Sequence, residues 1–200
     1  MLASLREVEL MRSLNRIAGR SIALPLSADD IIEFHLARLL LLLKFCGTAG
    51  RIDGLTKMAK LDFFARYPDF FKVAKAAVAK DEGESESLSP SATHIVESAM
   101  VRHHYGPWDK RYYQVLSVLE AKGLIVVAKE GNSYRITLTD LGSDRARTLS
   151  TKSSFTDLVA RMKDIKKTFG AMKGNKIKQL IYEVFDAEVG QRARGEVIEG

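Results

Sequence analysis

The chain has 200 residues, of which 46% are hydrophobic, enough for one sizeable domain or two small ones that share a core. Its 31 basic and 25 acidic residues give a formal charge of +6, a modest excess that favours acidic partners. The single cysteine, Cys46, excludes an internal disulfide and a multi-cysteine metal site and favours a reducing, cytoplasmic location. The longest apolar run, 36–43, is well short of the roughly 20 residues that cross a bilayer, so no membrane partner is expected.

Residues 1–26 are typical of an amphipathic helix followed by an extended link. Leucine and isoleucine residues recur there at near-helical spacing, with charged residues between them. Pro25 lies in the stretch that forms the link. We predict that this apolar stripe and two aromatic residues near the other end of the chain contact a partner protein: Leu5, Leu10, Leu14, Ile17, Tyr182 and Phe185.

Residues 27–150 carry the pattern of one further domain. Ser27 is a good N-cap for a helix that runs to about Cys46. The following pattern predicts a short strand and then helical stretches, at 51–53, 55–61, 62–67 and 70–80. Residues 81–93 combine acidic residues and serines with one large apolar side chain, too little to offset the entropy of ordering, which predicts a mobile loop.

The second half of this domain predicts a helix followed by a β-hairpin. The helix covers 108–122, and Gly123 is well placed as the left-handed residue that ends it. Two β-rich runs, 124–128 and 134–138, are joined by a polar turn, and Thr139 suits the cap of a next helix. This order is that of a winged helix, with the hairpin as the wing. The predicted fold is therefore mostly α with a small β-hairpin wing: a winged helix-turn-helix core with additional N- and C-terminal helices.

Residues 151–190 form a basic, helical C-terminal segment, and 191–200 are predicted to be a flexible tail. Eight basic and two acidic residues between 151 and 180 give that stretch a charge of +6, equal to the net charge of the chain. Its lysines could be a phosphate footprint or a solvated face, two interpretations that the pattern favours equally. The predicted nucleic-acid-binding residues are Lys163, Lys166, Lys167, Lys173, Lys176 and Lys178, with Lys110 and Arg111 on the helix and Lys129 and Arg135 on the wing.

The charge on the helix and the wing is a weak indication of DNA reading. Asp109, Glu120 and Glu130 offset those basic residues, whereas a DNA-reading winged helix normally presents basic side chains for phosphates and base edges. Use of the same fold for protein–protein contact is at least as well supported. The sequence therefore leaves open whether DNA is a partner.

The sequence favours a protein that is not an enzyme. The four histidines have no carboxylate or cysteine at ligand spacing, and Asp53, Asp62 and Asp69 are more typical of caps and solvated faces than of a two-metal site. The stretch 173–176 lacks the glycine and the Ser or Thr of a phosphate-binding loop. We therefore expect no catalytic residues, metal, cofactor or small-molecule substrate.

Three short stretches carry a resemblance to a known family. They are Lys57-Met58-Ala59-Lys60-Leu61-Asp62-Phe63-Phe64-x-Arg66-Tyr67-Pro68, Tyr105-Gly106-Pro107-Trp108-Asp109-x-Arg111-Tyr112-Tyr113 and Gly123-Leu124-Ile125. Over roughly residues 33–190 the chain resembles the middle components of bacterial ABC-three-component defence systems, including the small subunit of Lamassu-type systems. The second stretch also has the chemistry of a helix start, with Pro107 and Asp109 in the first turn.

The resemblance implies a non-catalytic assembly subunit. Such a subunit binds an SMC-like or RecN-like ATPase and couples it to a separate effector, often a nuclease, against phage or plasmids. The family supplies no catalytic residues to assign here. The alternative is a free-standing winged-helix transcriptional regulator that binds DNA as a homodimer, and it predicts sequence-selective DNA binding by the purified chain.

Overall fold

The structure is a computed structural model that describes residues 31–81, 100–103, 106–186, 194 and 197–198. Most of these residues are helical. We number the helices in chain order: α1 Ile32–Phe45, α2 Leu55–Arg66, α3 Pro68–Asp81, α4 Tyr112–Ala121, α5 Asp140–Ser150, α6 Thr156–Phe169 and α7 Gly174–Val184. Within the described ranges, every helix is too short or too polar to reach across a lipid bilayer.

Within the described residues, six short strands form two antiparallel sheets of three strands each. The strands are β1 Arg51–Asp53, β2 Met100–His103, β3 Gly106–Trp108, β4 Ile125–Glu130, β5 Ser133–Leu138 and β6 Val197–Ile198. In the first sheet, β5 lies between β1 and β4, and Ile136 faces Ile52 on one side and Val127 on the other. In the second sheet, β2 lies between β3 and β6. The prediction of a mostly helical fold with a small β-hairpin is confirmed.

Helix α1 lies at the centre of the core because its run 36–43 is apolar on every side except at Arg38, whose charge is paired in the interior. Leu41, Leu42 and Leu43 have no exposed surface, and the helix packs against α4, α5 and α6. A helix buried on every side is what an apolar run without a polar face predicts. The predicted start at Ser27 lies outside the described residues.

The hairpin and its flanks form as the turn chemistry predicts. Gly123 ends α4 with a φ of +66°, and Gly131 adopts a φ of +56° in the two-residue turn between β4 and β5. Thr139 caps α5: its Oγ1 accepts a hydrogen bond from the Gly142 N–H at 3.0 Å and donates one to the Gly123 carbonyl at 2.7 Å. One side chain therefore joins the end of α4 to the start of α5.

The C-terminal helices belong to the same core as the rest of the described chain. Helix α6 packs against α1, α2 and α3, and α7 packs against α2 and α3. The Phe169 ring stacks on Phe64 with centroids 4.7 Å apart, and Met162 and Ile177 have no exposed surface. Helices α6 and α7 therefore share one core with the described part of residues 27–150, although the sequence suggested a separate segment at 151–190.

Several predicted boundaries are wrong. Trp108 ends β3, and α4 begins only at Tyr112, so Pro107 and Asp109 do not start that helix. The stretches 55–61 and 62–67 form the single helix α2, because no glycine or proline interrupts them. The prediction of a flexible tail is wrong for Val197 and Ile198, because these two residues pair with β2 and Ile198 is fully buried. The predicted N-terminal helix and nearly all of the 81–93 loop lie outside the described residues.

Replacing Gly142 with alanine should destabilise the protein strongly. A Cβ at Gly142 would lie 1.9 Å from the Leu124 carbonyl oxygen, which is backbone that cannot rotate away. We expect a loss of about 3 kcal/mol or more in the free energy of unfolding, measured by urea denaturation. Gly131→Ala is the control: its Cβ would have no neighbour within 4 Å, so only its φ of +56° matters and the loss should be near 1 kcal/mol. Equal losses would mean that the contact with Leu124 is not the cause.

Candidate functional site

A pocket of about 510 Å³ lies where four parts of the chain meet. Its walls are the first turns of α2 and α7, the wing formed by β4, β5 and their turn, and the segment that leads into α4. Its size is in the range of small-ligand sites, about 300–1,000 Å³. The lining residues are Asp53, Gly54, Leu55, Thr56, Lys57, Trp108, Tyr113, Asn132, Ser133, Tyr134, Lys173, Gly174 and Asn175.

Three aromatic side chains line this pocket. The Trp108 and Tyr113 rings are 5.8 Å apart at a tilt of 48°, and Tyr134 reaches the pocket from the wing. Tyr113 is 62% exposed and Tyr134 is 41% exposed, although large aromatic residues usually contribute to a core. The pocket therefore presents planar apolar surface to a ligand.

Most of the other lining residues are polar, and two of them are lysines. Gly54 precedes α2 and Lys173 precedes α7, and neither residue has a side-chain acceptor that could cap its helix. The two helix starts touch, because a Cβ at Gly174 would lie 3.1 Å from the Lys57 backbone nitrogen. Lys173 is exposed at the pocket. Lys129 is also exposed, and it pairs with Tyr134 across the hairpin, so the side chains of Lys129 and Tyr134 lie on the same face of the hairpin. A ligand there would meet N–H groups and cations.

One acidic group at the rim of the pocket is already neutralised. The Asp53 carboxylate accepts hydrogen bonds or ion-pair contacts from Arg51 at 3.3 Å and Arg135 at 3.2 Å. The Lys57 ammonium is turned away and donates to the Gly170 carbonyl at 2.7 Å. Burial lowers the pKa of Lys57, and the charge of Asp53 partly restores it.

Behind the aromatic wall, a buried network of charged side chains fixes the start of α4. Asp62 of α2 has no exposed surface and accepts two hydrogen bonds from the Arg38 guanidinium, at 2.9 and 3.3 Å. The Tyr112 hydroxyl donates to the same carboxylate at 2.8 Å. Burial, and then the charge of Asp62, raise the pKa of Tyr112, so this hydroxyl remains a donor. Asp62 thus joins α1, α2 and α4.

Asp109 is the second acidic centre of the network. Its carboxylate accepts from Arg66 at 2.9 Å, and from the Arg111 side chain at 2.9 and 3.0 Å and backbone N–H at 2.9 Å. Burial alone would raise the pKa of Asp109, but the hydrogen bonds from Arg111 and the charges of Arg66 and Arg111 lower it to about 2. His35 lies between the Arg38 and Arg111 guanidiniums, 2.9 and 2.8 Å from them.

Lys60 extends the network toward the second sheet. Its side chain has no exposed surface, and its ammonium donates to the Pro107 carbonyl at 3.1 Å. Burial lowers the pKa of Lys60 to about 7, and the nearby charge of Lys178 adds to this effect. Gly106 is required beside it: its φ is +91°, and a Cβ there would meet the Lys60 side chain at 3.2 Å.

This network explains two of the stretches that carry the family resemblance. The charged residues of 57–68 and of 105–113 bind each other in the interior, and they hold Trp108 and Tyr113 at the pocket. The prediction that Asp62 belongs to a cap or a solvated face is wrong. The signal in the sequence was a carboxylate between two large apolar residues, Leu61 and Phe63, inside a helix.

The structure divides the predicted phosphate-binding lysines between two places. On α6, Lys163 lies over the Phe45 ring at 5.5 Å, Lys166 donates to the Gly47 carbonyl at 2.8 Å, and Lys167 pairs with Asp164 at 3.4 Å. The others belong to α7 and its start: Lys173 lines the pocket, Lys176 is exposed and Lys178 is half-buried. The α6 lysines and Lys173 therefore contact different parts of the described chain, and the binding of nucleic acid by these lysines stays a prediction.

The basic residues predicted on the wing and beside α4 are also divided. Lys110 and Lys129 are exposed. The structure assigns the Arg111 guanidinium to the Asp109 network and not to a phosphate-binding surface. Arg135 pairs with Asp53 and Glu130 on the outer face of the sheet.

The predicted partner interface is wrong at one residue. Phe185 is 2% exposed and packs edge-on against Phe70 with centroids 4.8 Å apart, so it belongs to the core. Tyr182 is half-buried. The other four predicted interface residues, Leu5, Leu10, Leu14 and Ile17, lie outside the described residues.

Among the described residues, no group of three or more His, Cys, Asp or Glu side chains is placed to hold a metal ion. Cys46 is buried, and its thiol donates to the Met162 carbonyl at 3.2 Å. Burial, with a further contribution from Asp62, raises the pKa of Cys46, which disfavours the reactive thiolate. Together with the fold, these observations define a mostly helical protein with an aromatic, basic pocket. Comparison of the chain with family models, curated proteins and solved structures finds no match.

Proposed function

We propose that the described part of the chain is a winged helix that serves as a docking scaffold. The elements α1, β1, α2, α4, β4 and β5 follow the order of that fold, and β5 lies between β1 and the other strand of the wing. Helix α3 and strands β2 and β3 are an insertion between α2 and α4. In this arrangement α4 occupies the position of the helix that enters the DNA major groove in DNA-binding winged-helix proteins.

The outward surface of α4 carries the proposal. Its exposed side chains are Tyr113, Gln114, Ser117, Glu120 and Ala121. None of these is basic, and Lys122 follows only at the cap. A DNA-reading helix presents cations to phosphates and bidentate donors to bases, and here Gln114 alone could read a base edge. A mostly neutral surface with an exposed tyrosine fits a protein interface better.

The partner that we propose is an SMC-like or RecN-like ATPase. The chain would be a non-catalytic assembly subunit of a bacterial anti-phage or anti-plasmid complex, and it would bridge the ATPase to a nuclease-type effector. The resemblance to the middle components of ABC-three-component and Lamassu-type systems supports this assignment. The neutral surface of α4 and the buried network that fixes its start support a rigid docking element.

Ser117→Arg tests the docking surface. Ser117 is exposed on α4 and its hydroxyl donates to the Tyr113 carbonyl at 2.8 Å, so an arginine there should leave the fold intact. An added charge at the centre of an interface should reduce co-purification with the proposed ATPase partner by roughly tenfold or more. The readout is the amount of ATPase retained on the tagged chain.

Thr148→Arg is the matched control. Thr148 is also exposed on a helix, α5, and its hydroxyl donates to the carbonyl four residues earlier at 3.1 Å. This variant should retain the ATPase. If both variants retain it, α4 is not the docking surface. If the purified chain instead forms a homodimer that selects one duplex sequence, the transcriptional regulator is the correct function.

A further inference from the structure

The pocket between the β4–β5 hairpin and the starts of α2 and α7 shares Tyr113 with the outward surface of α4, and its other lining residues lie outside that surface. It is built from four separate segments, and its lining combines aromatic rings with Lys173 and the first turns of two helices. The ligand must therefore combine a flat apolar part with an anionic part. A nucleotide has both, as base and phosphate.

The aromatic wall suits one base. The Trp108 and Tyr113 rings are tilted at 48°, and Tyr134 lies across the pocket on the wing. Every base can stack on such rings whatever its sequence. Base pairs in a duplex are stacked on each other, so a base can enter a recess only from a single strand.

The basic wall suits a phosphate. Lys173 lines the pocket, Lys129 lies on the same face of the hairpin as Tyr134, and the first turns of α2 and α7 add the positive ends of two helix dipoles. The carboxylate of Asp53 is compensated by Arg51 and Arg135. Asp53 is the one acidic residue among the described lining residues, and its charge is therefore neutralised.

We propose that this pocket binds one nucleotide unit of a single-stranded nucleic acid. The base stacks against the exposed rings of Tyr113 and Tyr134, and the phosphate lies toward Lys173 and the helix starts. Trp108 is 8% exposed and packs against Tyr113. Binding is independent of sequence, because the contacts are stacking and charge. The inference does not depend on the ATPase partner, and its test uses the chain alone.

The test uses Trp108, the only tryptophan in the chain, as a reporter inside the pocket. A short oligothymidylate titrated into the protein should quench the tryptophan fluorescence with a saturable curve. Tyr134→Ala should weaken binding by roughly tenfold or more because it removes a stacking ring, whereas Tyr134→Phe should keep the wild-type affinity. The exposure of Tyr134 predicts that both variants fold, and circular dichroism checks this.

A charge-reversal pair separates the pocket from general attraction. Lys173→Glu should weaken binding and flatten its salt dependence. Lys152→Glu makes the same charge change at an exposed site just before α6. The length of α6, about 20 Å, separates this site from Gly170 at the other end of the helix, so the substitution should have little effect on oligonucleotide binding. Equal losses in the two variants would overturn the proposal, as would equal affinity for duplex DNA.

Two competitors test the other candidate ligands. Free AMP should displace the oligonucleotide only weakly, because it lacks the flanking phosphates. If AMP binds as tightly as the oligonucleotide, the ligand is a free nucleotide and not a strand. A polyglutamate peptide carries charge without bases, so displacement by it at equal charge concentration would overturn the stacking role of the pocket. Absence of quenching in wild type would also overturn it.

Discussion

Asp62→Ala should lower the free energy of unfolding by about 3–5 kcal/mol, the usual loss when one partner of a buried ion pair is removed. The substitution would leave the Arg38 guanidinium in the core without its carboxylate and the Tyr112 hydroxyl without its acceptor. Arg38 is 1% exposed, so water cannot readily replace the lost oxygen atoms. Urea denaturation at neutral pH measures the change, provided that unfolding is a single transition.

Asp144→Ala is the matched control for this prediction. Asp144 also pairs with an arginine, Arg147 at 3.0 Å, but both side chains are about two-thirds exposed. Exposed pairs contribute about 0–1 kcal/mol, so the loss should be small. If the two variants lost equal stability, the network around Asp62 would not be the element that fixes α4.

Phe169→Ala should destabilise the protein by a similar amount, about 3–5 kcal/mol, through the cavity that it leaves. The Phe169 ring has no exposed surface, stacks on Phe64 at 4.7 Å and meets Phe71 edge-on at 6.0 Å. These contacts join α6 to α2 and α3. The loss should therefore appear as one cooperative transition at lower urea, because the C-terminal helices and the rest share a core.

Phe155→Ala provides the comparison within the same part of the chain. Phe155 is half-buried and stacks on Phe34 at 6.4 Å, so its removal opens little enclosed space. Its loss should be less than half that of Phe169→Ala, since the transfer and cavity contributions both scale with the volume buried. A separate early transition in the Phe169 variant would instead indicate that residues 151–190 form an independent unit.

Local signals were sufficient to predict the hairpin and its flanks. The glycines at 123 and 131 and the cap at Thr139 act within a few residues of themselves, and each has the predicted conformation. The same reasoning failed at Pro107 and Asp109. Their chemistry suits a helix start, but pairing of β3 with β2 and binding of Asp109 to Arg66 and Arg111 outweigh that local preference.

The candidate site could be predicted only in part. Of its residues, Lys173 was identified as a possible phosphate contact from the local excess of lysines, and Lys129 from its place on the wing. The aromatic wall was not identified, because residues 108, 113 and 134 are far apart in sequence and each also suits a core. The exposure of Tyr113 and Tyr134 depends on how the β4–β5 hairpin and α4 approach each other, and no local pattern encodes that approach.

The sequence by itself determined the mostly helical character of the described residues, the position of the β4–β5 hairpin and the apolar run that becomes α1. Turn residues, caps and apolar periodicity act over a few positions, so they can be read without a structure. Only the tertiary structure decided which charges are buried together and where the pocket lies. Asp62 meets Arg38 and Tyr112 across 24 and 50 residues, and a burial cost of that kind is compensated only when distant partners arrive in the right geometry.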